Sequence, residues 1–217
     1  MKQFNMEKLF EDIKSAVIAG KHLEIETLVE TAVQYKVNLN DLINNALIAA
    51  MDVVGDRFSK SEIFVPEMLV SAVTMKKGLT IIKPLLKENQ QHTRGKVILC
   101  TVKGDLHDIG KNLVAMMLEG AGFEVIDLGV DVTVEKVVDK VAEISPQILG
   151  LSALLTTTMP EMQNVIKILQ TRGMREKVKV MIGGAPVDAE FAEKIGADAY
   201  GKDAAEAVNI VRSFTNK

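Results

Sequence analysis

The stretch from Lys96 to Val102 has the sequence KVILCTV, and residues 104–110 that follow it have the sequence GDLHDIG. A short run rich in β-branched side chains and flanked by glycine is typical of a buried strand. Further along the chain, more short apolar runs alternate with amphipathic stretches of helical periodicity. This alternation indicates right-handed β-α-β crossovers and a parallel sheet with helices on both faces.

Five strands are predicted in this half of the chain. Their bounds are residues 96–102, 124–128, 147–152, 178–182 and 197–200. The pattern favours a flavodoxin-like, doubly wound sheet of strand order 2-1-3-4-5, in which a ligand binds beyond the carboxyl ends of strands 1 and 3. We therefore expect residues 104–110 and 152–158 to face each other, with Gly183 and Gly184 at the end of the next strand. The absent glycine side chains would leave room for a ligand there.

The residues before the sheet predict an all-α domain of four helices. These are expected from Met6 to Ala19, from Leu23 to Tyr35, from an Asn40 cap to Phe58, and from Pro66 to a kink or end at Pro84. The polar sequence ENQQHTRG at residues 88–95 suits an exposed linker. We predict a helical domain over residues 1–88, a linker over 89–95 and a Rossmann-like α/β domain over 96–217.

The composition argues against several classes of function. No apolar run reaches the roughly 18 residues that a membrane helix needs, and the first residues lack the apolar core of a secretory signal, which predicts a cytoplasmic protein without a membrane partner. A net charge of -3 with scattered Lys and Arg predicts no nucleic-acid partner. One cysteine and three histidines are too few for a zinc cluster. Cys100, inside the first predicted strand, is expected to be a small buried thiol.

The loop after the first strand offers a histidine rather than a phosphate cradle. It contains neither the dinucleotide-binding nor the P-loop glycine pattern, and Ser152 stands where a phospho-acceptor domain would need a carboxylate. Asp105 precedes His107 by two residues, and a carboxylate in this position can orient an imidazole that binds a metal. His22 and His92 occur in polar surroundings and are expected to be structural or solvated.

Three motifs together resemble the signature of cobalamin-binding domains that hold the cofactor base-off and His-on. They are Asp105-x-His107-x-x-Gly110, Ser152-x-Leu154 and Gly183-Gly184. The sequences VGDRF at residues 54–58 and IFVPE at 63–67 resemble the helical cap of the same family, so the resemblance covers nearly the whole chain. In size and layout the chain is similar to corrinoid proteins of methylamine and methanol methyltransferase systems, and to the cobalamin-binding modules of methionine synthase.

The resemblance implies a role for each matching residue. His107 would be the axial ligand below cobalt, Asp105 its hydrogen-bond acceptor, and Thr158 the hydroxyl that completes the relay. That hydroxyl is commonly serine in the family, and Thr157 is the alternative. Further residues implied to bind the corrinoid are Gly104, Leu106, Asp108, Ile109 and Gly110 in the loop, Ser152, Leu154 and Thr156 in the slot for the nucleotide tail, Gly183 and Gly184 beside it, and Phe58, Val65 and Met68 in the cap. For the last three, the alternative is the core of the helical domain.

The resemblance also implies a methyl shuttle as the function. Cobalt, in cobalamin or a related corrinoid, would cycle between Co(I) and methyl-Co(III) on a chain that is itself the non-catalytic subunit of a methyltransferase system. One partner methyltransferase would load the methyl group from a substrate, and a second would pass it to a thiol or a tetrahydrofolate or tetrahydropterin. A reductive activase is the third expected partner.

Two alternatives belong to other classes of function. A corrinoid-binding sensor or regulator would usually carry a DNA-binding or signalling domain, for which the sequence offers no further segment. The cobalamin subunit of a mutase would typically use a barrel partner in place of the cap sequence at residues 58–67.

Overall fold

The computed structural model describes residues 5–86 and 93–215. These residues form two compact units, one mainly in the first range and one mainly in the second. We call them the helical unit and the sheet unit. Most of the predicted linker at 89–95, with His92, lies outside the described residues, so the domain bounds and the expectation for His92 stay predictions.

The helical unit contains the four predicted helices, the third of which changes its helical form along its length. The elements are α1 (Met6–Ile18), α2 (Glu24–Gln34), α3 (Leu39–Leu42), a π-helix (Ile43–Ile48), α4 (Ala49–Ser59), α5 (Val65–Ile82) and a 3-10 turn (Lys83–Leu85). α3, the π-helix and α4 follow one another without a break and together form the third predicted helix. Pro66 lies in the first turn of α5, as expected, because its missing N–H has no partner to lose there.

The predicted cap of the third helix was wrong by two residues. Asn38, and not Asn40, precedes the helix, and its side-chain oxygen accepts hydrogen bonds from the backbone N–H groups of Asn40 and Asp41 at 2.9 and 3.3 Å. Both asparagines are suitable cap residues, since a short side chain can satisfy the free N–H groups of a first turn. The extended backbone at Asn38 marks the true start.

The core of the helical unit follows the helical spacing of its apolar residues. The buried members of α1 and α2 recur three and four positions apart and are Leu9, Ile13, Ala16 and Val17, and Ile25, Val29 and Ala32. Such a stripe buries one face of each helix. No helix within residues 5–86 or 93–215 has the length and the apolar character needed to cross a membrane.

The sheet unit has the predicted architecture. Its strands are β1 (Lys96–Thr101), β2 (Glu124–Asp127), β3 (Ile148–Ser152), β4 (Lys179–Gly183) and β5 (Ala199–Tyr200). Its helices are α6 (Ile109–Gly120), α7 (Val134–Ile144), α8 (Met159–Thr171), α9 (Ala189–Ile195) and α10 (Ala204–Thr215). The strands are parallel in the order 2-1-3-4-5. This confirms the flavodoxin-like topology.

The two faces of the sheet have different environments. Alternate residues of the central strands belong to a core cluster shared with α7, α8 and α9, and among them are Ile98, Cys100, Leu149, Leu151, Val180 and Ile182. The thiol of Cys100 is buried, as predicted. Since side chains alternate along a strand, Leu99, Gly150 and Met181 belong to the other face. That face is the floor of the cavity described below.

The strand register brings the predicted loops together at one edge of the sheet. Thr101 at the end of β1 pairs with Ser152 at the end of β3, and Ser152 pairs with Gly183 at the end of β4. The carboxyl ends of three neighbouring strands therefore meet, and the winding reverses between β1 and β3, where ligands of such sheets bind.

Candidate functional site

The loop between β1 and α6 carries His107 and is fixed by a set of hydrogen bonds. Thr101 Oγ1 donates to the backbone oxygen of His107 at 2.8 Å. Gly104, at φ +81°, donates its N–H to Asp131 Oδ1 at 2.7 Å, and Asp131 N–H donates to the backbone oxygen of Asp105 at 3.0 Å. Glycine adopts this left-handed conformation without steric cost. These contacts define where the imidazole lies.

The Asp105 carboxylate has no exposed surface and accepts five hydrogen bonds. Oδ1 accepts from the backbone N–H of His107 at 3.1 Å and lies 2.7 Å from Nδ1 of the same residue. Oδ2 accepts from the N–H groups of Leu154 and Leu155 at 2.7 and 3.2 Å and from the Thr158 hydroxyl at 2.9 Å. One carboxylate thus joins the loop after β1 to the loop after β3.

These contacts determine the charge of Asp105 and the tautomer of His107. Burial raises the pKa of the carboxyl, but the hydrogen bonds from the His107 and Leu154 backbone, the His107 ring and the Thr158 hydroxyl outweigh it and hold the pKa well below its usual range. An ionised carboxylate can only accept, so Nδ1 of His107 carries a proton. In the neutral ring, Nε2 then keeps its lone pair.

The His107 side chain is exposed together with apolar residues of its own loop and of the facing loop. It is 53% exposed itself. Leu106 and Ile109 on the same loop are 71% and 86% exposed, and Leu154 and Leu155 on the facing loop are both more than one-third exposed. Large apolar side chains grouped on a surface mark a place where a ligand or partner binds.

The hydroxyl next to Asp105 belongs to Thr158 rather than to Thr157. Thr158 is buried, whereas Thr156 and Thr157 are exposed. Its Oγ1 lies 2.9 Å from Asp105 Oδ2 and 2.9 Å from the backbone oxygen of Leu155. A hydroxyl has one proton and donates to one acceptor at a time, and the charged carboxylate is the stronger acceptor.

The pair Gly183-Gly184 is required by close backbone packing. A Cβ at Gly184, which has φ +130°, would lie 1.8 Å from the backbone oxygen of Ala153, and one at Gly183 would lie 3.0 Å from the backbone oxygen of Gly201. Any side chain at Gly184 would therefore collide with the loop after β3. The sequence predicted room for a ligand here, but part of that room is filled by the protein's own backbone.

A cavity of about 700 Å³ has His107 in its wall. The predicted site residues that line it are Leu106, His107, Asp108, Ile109, Gly110, Ser152, Leu154, Gly183 and Gly184. Asp105 and Thr158 do not line it; Asp105 is connected to it through His107 and Leu154, and Thr158 is connected through Asp105. Gly104 and Thr156 are also absent from its lining, and their predicted contacts with a cofactor stay predictions.

Sequence reasoning missed the residues at the inner end of this cavity. Leu99, Gly150 and Met181 of the sheet line it, together with Lys111 of α6 and Ala207 of α10. The first three lie side by side on three adjacent strands. They are on the face of the sheet opposite the one that packs on α7 and α8. Pairing the predicted strands in register would have found them.

Lys111 is a cation buried beside the cavity. Its side chain is 3% exposed, and Nζ donates to Asp127 Oδ2 at the end of β2 and to Asn112 Oδ1. Asn112 Nδ2 in turn donates to Asp108 Oδ2 on the His107 loop at 2.9 Å. A chain of polar contacts therefore runs from β2 to the loop that carries the imidazole.

The three predicted cap residues lie in the helical unit and differ in exposure. Val65 is 37% exposed, Phe58 is half-buried and Met68 has no exposed surface. The burial of Met68 agrees with the helix-core alternative. The contact of these residues with a cofactor stays a prediction.

The donor set of the cavity fits a metal that arrives with most of its ligands in place. Residues 5–86 and 93–215 contain no group of three or more His, Cys, Asp and Glu side chains that could hold a metal ion. A corrin ring already supplies four nitrogen ligands to its cobalt, so one imidazole with a free lone pair is sufficient from the protein. The fixed His107 tautomer and the apolar residues around it suit such a ring.

Known families match both units of the chain. The family model described as B12 binding domain matches residues 95–209, and a second model of the same description matches residues 9–83. The chain belongs to the B12-binding family. This confirms the resemblance drawn from the motifs and identifies the cofactor class as cobalamin or a related corrinoid.

Relatives of this B12-binding protein match it along most of their length. Dimethylamine corrinoid protein 1 of Methanosarcina acetivorans is 41% identical over 203 residues, which cover 93% of this chain and 95% of that protein. The trimethylamine corrinoid protein of Methanosarcina barkeri is 38% identical over 214 residues, with coverage of 98% and 99%. In the crystal structure of the methanol:cobalamin methyltransferase complex MtaBC from Methanosarcina barkeri, a chain that is 31% identical superposes with a TM-score of 0.89, covering 98% of this chain and 81% of that one.

Proposed function

We propose that this chain is the methyl-carrying corrinoid subunit of a methyltransferase system, and that His107 is the lower axial ligand of a base-off corrinoid. The observation that carries the proposal is the 2.7 Å contact between Nδ1 of His107 and the buried Asp105 carboxylate, which leaves Nε2 free on a half-exposed ring in the cavity wall. When bound, the corrinoid supplies a cobalt that takes up a methyl group as Co(I) and gives it up as methyl-Co(III).

The residues behind His107 control the imidazole in this proposal. Asp105 fixes the tautomer and orients the ring so that Nε2 can bind a metal, as a carboxylate acceptor does for a metal-binding histidine. The same carboxylate, 2.7 Å from Nδ1, would also stabilise the ring in its charged form. By rotating about its C–O bond, the Thr158 hydroxyl can donate its hydrogen bond either to Asp105 or to the backbone oxygen of Leu155, since both acceptors lie within reach.

Partner enzymes supply the two methyl transfers. The relatives named dimethylamine and trimethylamine corrinoid proteins, and the methanol:cobalamin methyltransferase complex, support a loading methyltransferase that acts on a methylated amine, alcohol or similar compound. A second methyltransferase passes the methyl group to a thiol or a tetrahydropterin, and a reductive activase maintains the cofactor. The chain works in the cytoplasm.

The test of His107 as ligand uses isotope labelling. The protein is produced with ¹⁵N-histidine, loaded with the Co(II) form of cobalamin and measured by electron paramagnetic resonance. Axial ligation by a labelled imidazole splits each cobalt line into a doublet, whereas the unlabelled benzimidazole of the cofactor gives a triplet. We expect the doublet in the wild type and its loss in His107→Ala.

The matched control is His22→Ala, which removes an exposed histidine of the helical unit and should keep the doublet. Methyl transfer is then followed with methylcobalamin-loaded protein, cell extract and candidate thiols and pterins. A triplet in the labelled wild type, or a doublet that survives His107→Ala, would refute His107 as ligand. Lack of methyl transfer to any acceptor would refute the carrier function.

A further inference from the structure

Leu99, Gly150 and Met181 form one row across three neighbouring strands. Leu99 pairs with Gly150 and Gly150 pairs with Met181, so the three residues lie side by side on the same face of the sheet. All three line the cavity. Leu99 and Met181 are 3% and 4% exposed, which puts the row at the buried end. The middle member has no side chain, and the end of the Leu99 side chain lies over it.

The space over Gly150 cannot take one more carbon atom without a rearrangement of Leu99. A Cβ at Gly150 would lie 2.5 Å from Cδ2 of Leu99 and 3.7 Å from Cε of Met181. Because Leu99 is flexible at its end, the collision can be relieved by rotation of that side chain. The added carbon and the displaced Leu99 would both take space from the cavity.

The backbone itself does not require glycine at position 150. Gly150 is not among the glycines with positive φ, and it lies inside a paired strand. Glycine weakens the interior of a strand, and its occurrence there often marks the close approach of a ligand or of another backbone. The atom nearest to a Cβ at this position belongs to Leu99, a side chain of the cavity floor, so a larger residue at position 150 would change the floor itself.

The walls above the row are apolar. Leu113 and Val114 of α6 line one side, and the small residues Ala204 and Ala207 of α10 line the other. The ammonium group of Lys111, also in the lining, is held by Asp127 and Asn112. A flat apolar ring suits such a space.

We propose that Gly150 sets the depth of the cavity and thereby selects the lower base of the corrinoid. Because position 150 carries no side chain, Leu99 can occupy the space over it, and the cavity above both residues keeps the depth that a flat bicyclic base of benzimidazole size needs. The inference rests on the proposed function, in which the base has left cobalt and enters this cavity. It predicts that one added methyl group changes the binding of the base and leaves the binding of the corrin ring unchanged.

The experiment compares two ligands on the full-length apoprotein. Cobalamin carries a benzimidazole base, and cobinamide has the same corrin ring without the nucleotide. We expect Gly150→Ala to weaken cobalamin binding about tenfold, as overpacking of a filled space does, and to leave the cobinamide dissociation constant unchanged. Val180→Ile is the matched control, since it adds one carbon to the same sheet in the core cluster on the other face. It should change neither constant.

Two further variants keep the proposal falsifiable. Leu99→Val in the Gly150→Ala background shortens the displaced side chain and should restore cobalamin binding. If Gly150→Ala does not fold, Ala207→Val fills the same end of the cavity from α10 and should weaken cobalamin binding alone. Equal weakening of both ligands, or no weakening, overturns the inference. If the wild type binds neither ligand, the proposed function fails and the inference with it.

Discussion

The hydroxyl oxygen of Thr158 lies 2.9 Å from Oδ2 of Asp105, a carboxyl group with no exposed surface. The other oxygen of the same carboxylate holds Nδ1 of His107 at 2.7 Å. Three side chains from two loops are thus connected through a single buried anion. A change at Thr158 therefore reaches the imidazole through Asp105, without a contact between the threonine and the cavity.

Removing the Thr158 hydroxyl should destabilise the sheet unit while preserving its shape. Thr158→Val keeps the volume of the side chain and deletes one hydrogen bond to a buried charge, which costs about 2 kcal/mol. Two backbone N–H groups still donate hydrogen bonds to Asp105 Oδ2, so the protein should fold. Urea unfolding at neutral pH measures the loss.

Two control variants separate the hydroxyl from the rest of the threonine side chain. Thr158→Ser retains the hydroxyl and removes one methyl group, so the expected loss is below about 1 kcal/mol. Thr157→Val changes an exposed neighbour and should have no effect. Equal losses in Thr158→Ser and Thr158→Val would show that the methyl group, and not the hydrogen bond, matters.

Asp105 should make the protein sensitive to acid. Its pKa is held below the ordinary value of about 3.9 for an aspartate in an unfolded chain. The stability that it contributes is complete above that ordinary value and is lost as the pH falls toward the folded pKa. The free energy of unfolding of the wild type should therefore decrease steadily below a pH of about 5.

Asp105→Asn tests the origin of this acid sensitivity. The asparagine amide places an N–H₂ group, itself a donor, beside the groups that donate hydrogen bonds to the Asp105 carboxylate. The variant should therefore be less stable at pH 7 by roughly 2 kcal/mol or more. The difference from the wild type should shrink as the pH falls, since the wild type loses its carboxylate. Asp198 also has a lowered pKa, because contacts with Lys179, the Val180 N–H and Arg175 outweigh its burial. A constant difference from pH 7 to acid would therefore assign the sensitivity to Asp198 or another group.

The sequence predicts the sheet and the centre of the site because both depend on local patterns. The run KVILCTV and the four later strands follow from composition and spacing, and the β-α-β rule then brings residues 104–110 next to residues 152–158. The proximity of Asp105 and His107 follows from their separation by two residues. Thr158 and Thr157 could be separated only by the start of α8, which buries one and exposes the other.

The features that escaped prediction depend on register or on long-range packing. The row of Leu99, Gly150 and Met181 exists only once three strands are paired. The collision between a Cβ at Gly184 and the Ala153 backbone likewise needs two loops in three dimensions. The Asn38 cap was missed because Asn38 and Asn40 are equally suitable cap residues and propensity cannot choose between them.

Cys100 should be inert in the native protein. Burial raises the pKa of its thiol to about 12, with a smaller contribution in the same direction from Asp127, so almost no reactive thiolate is present at neutral pH. A thiol reagent such as DTNB should not modify the folded chain, and should release one equivalent in urea because the sequence has one cysteine. Rapid labelling without denaturant would contradict the burial of β1.

Replacing Lys111 and replacing Asp127, which form an ion pair, should lower the free energy of unfolding by different amounts. Lys111 is 3% exposed and Asp127 is 36% exposed, so only the carboxylate can regain water when it is left alone. Lys111→Met keeps an apolar side chain of similar length and should cost about 1 kcal/mol, whereas Asp127→Asn leaves a buried ammonium group without its counter-charge and should cost about 3 kcal/mol. Asparagine can still accept the hydrogen bond that Gly129 N–H donates to Oδ1, so the loop after β2 is retained.

Urea unfolding of both single variants and of the double variant gives the three free energies, and the double variant should be more stable than Asp127→Asn. A larger loss for Lys111→Met than for Asp127→Asn would mean that the packing of the lysine side chain, and not its burial as a charge, dominates this pair.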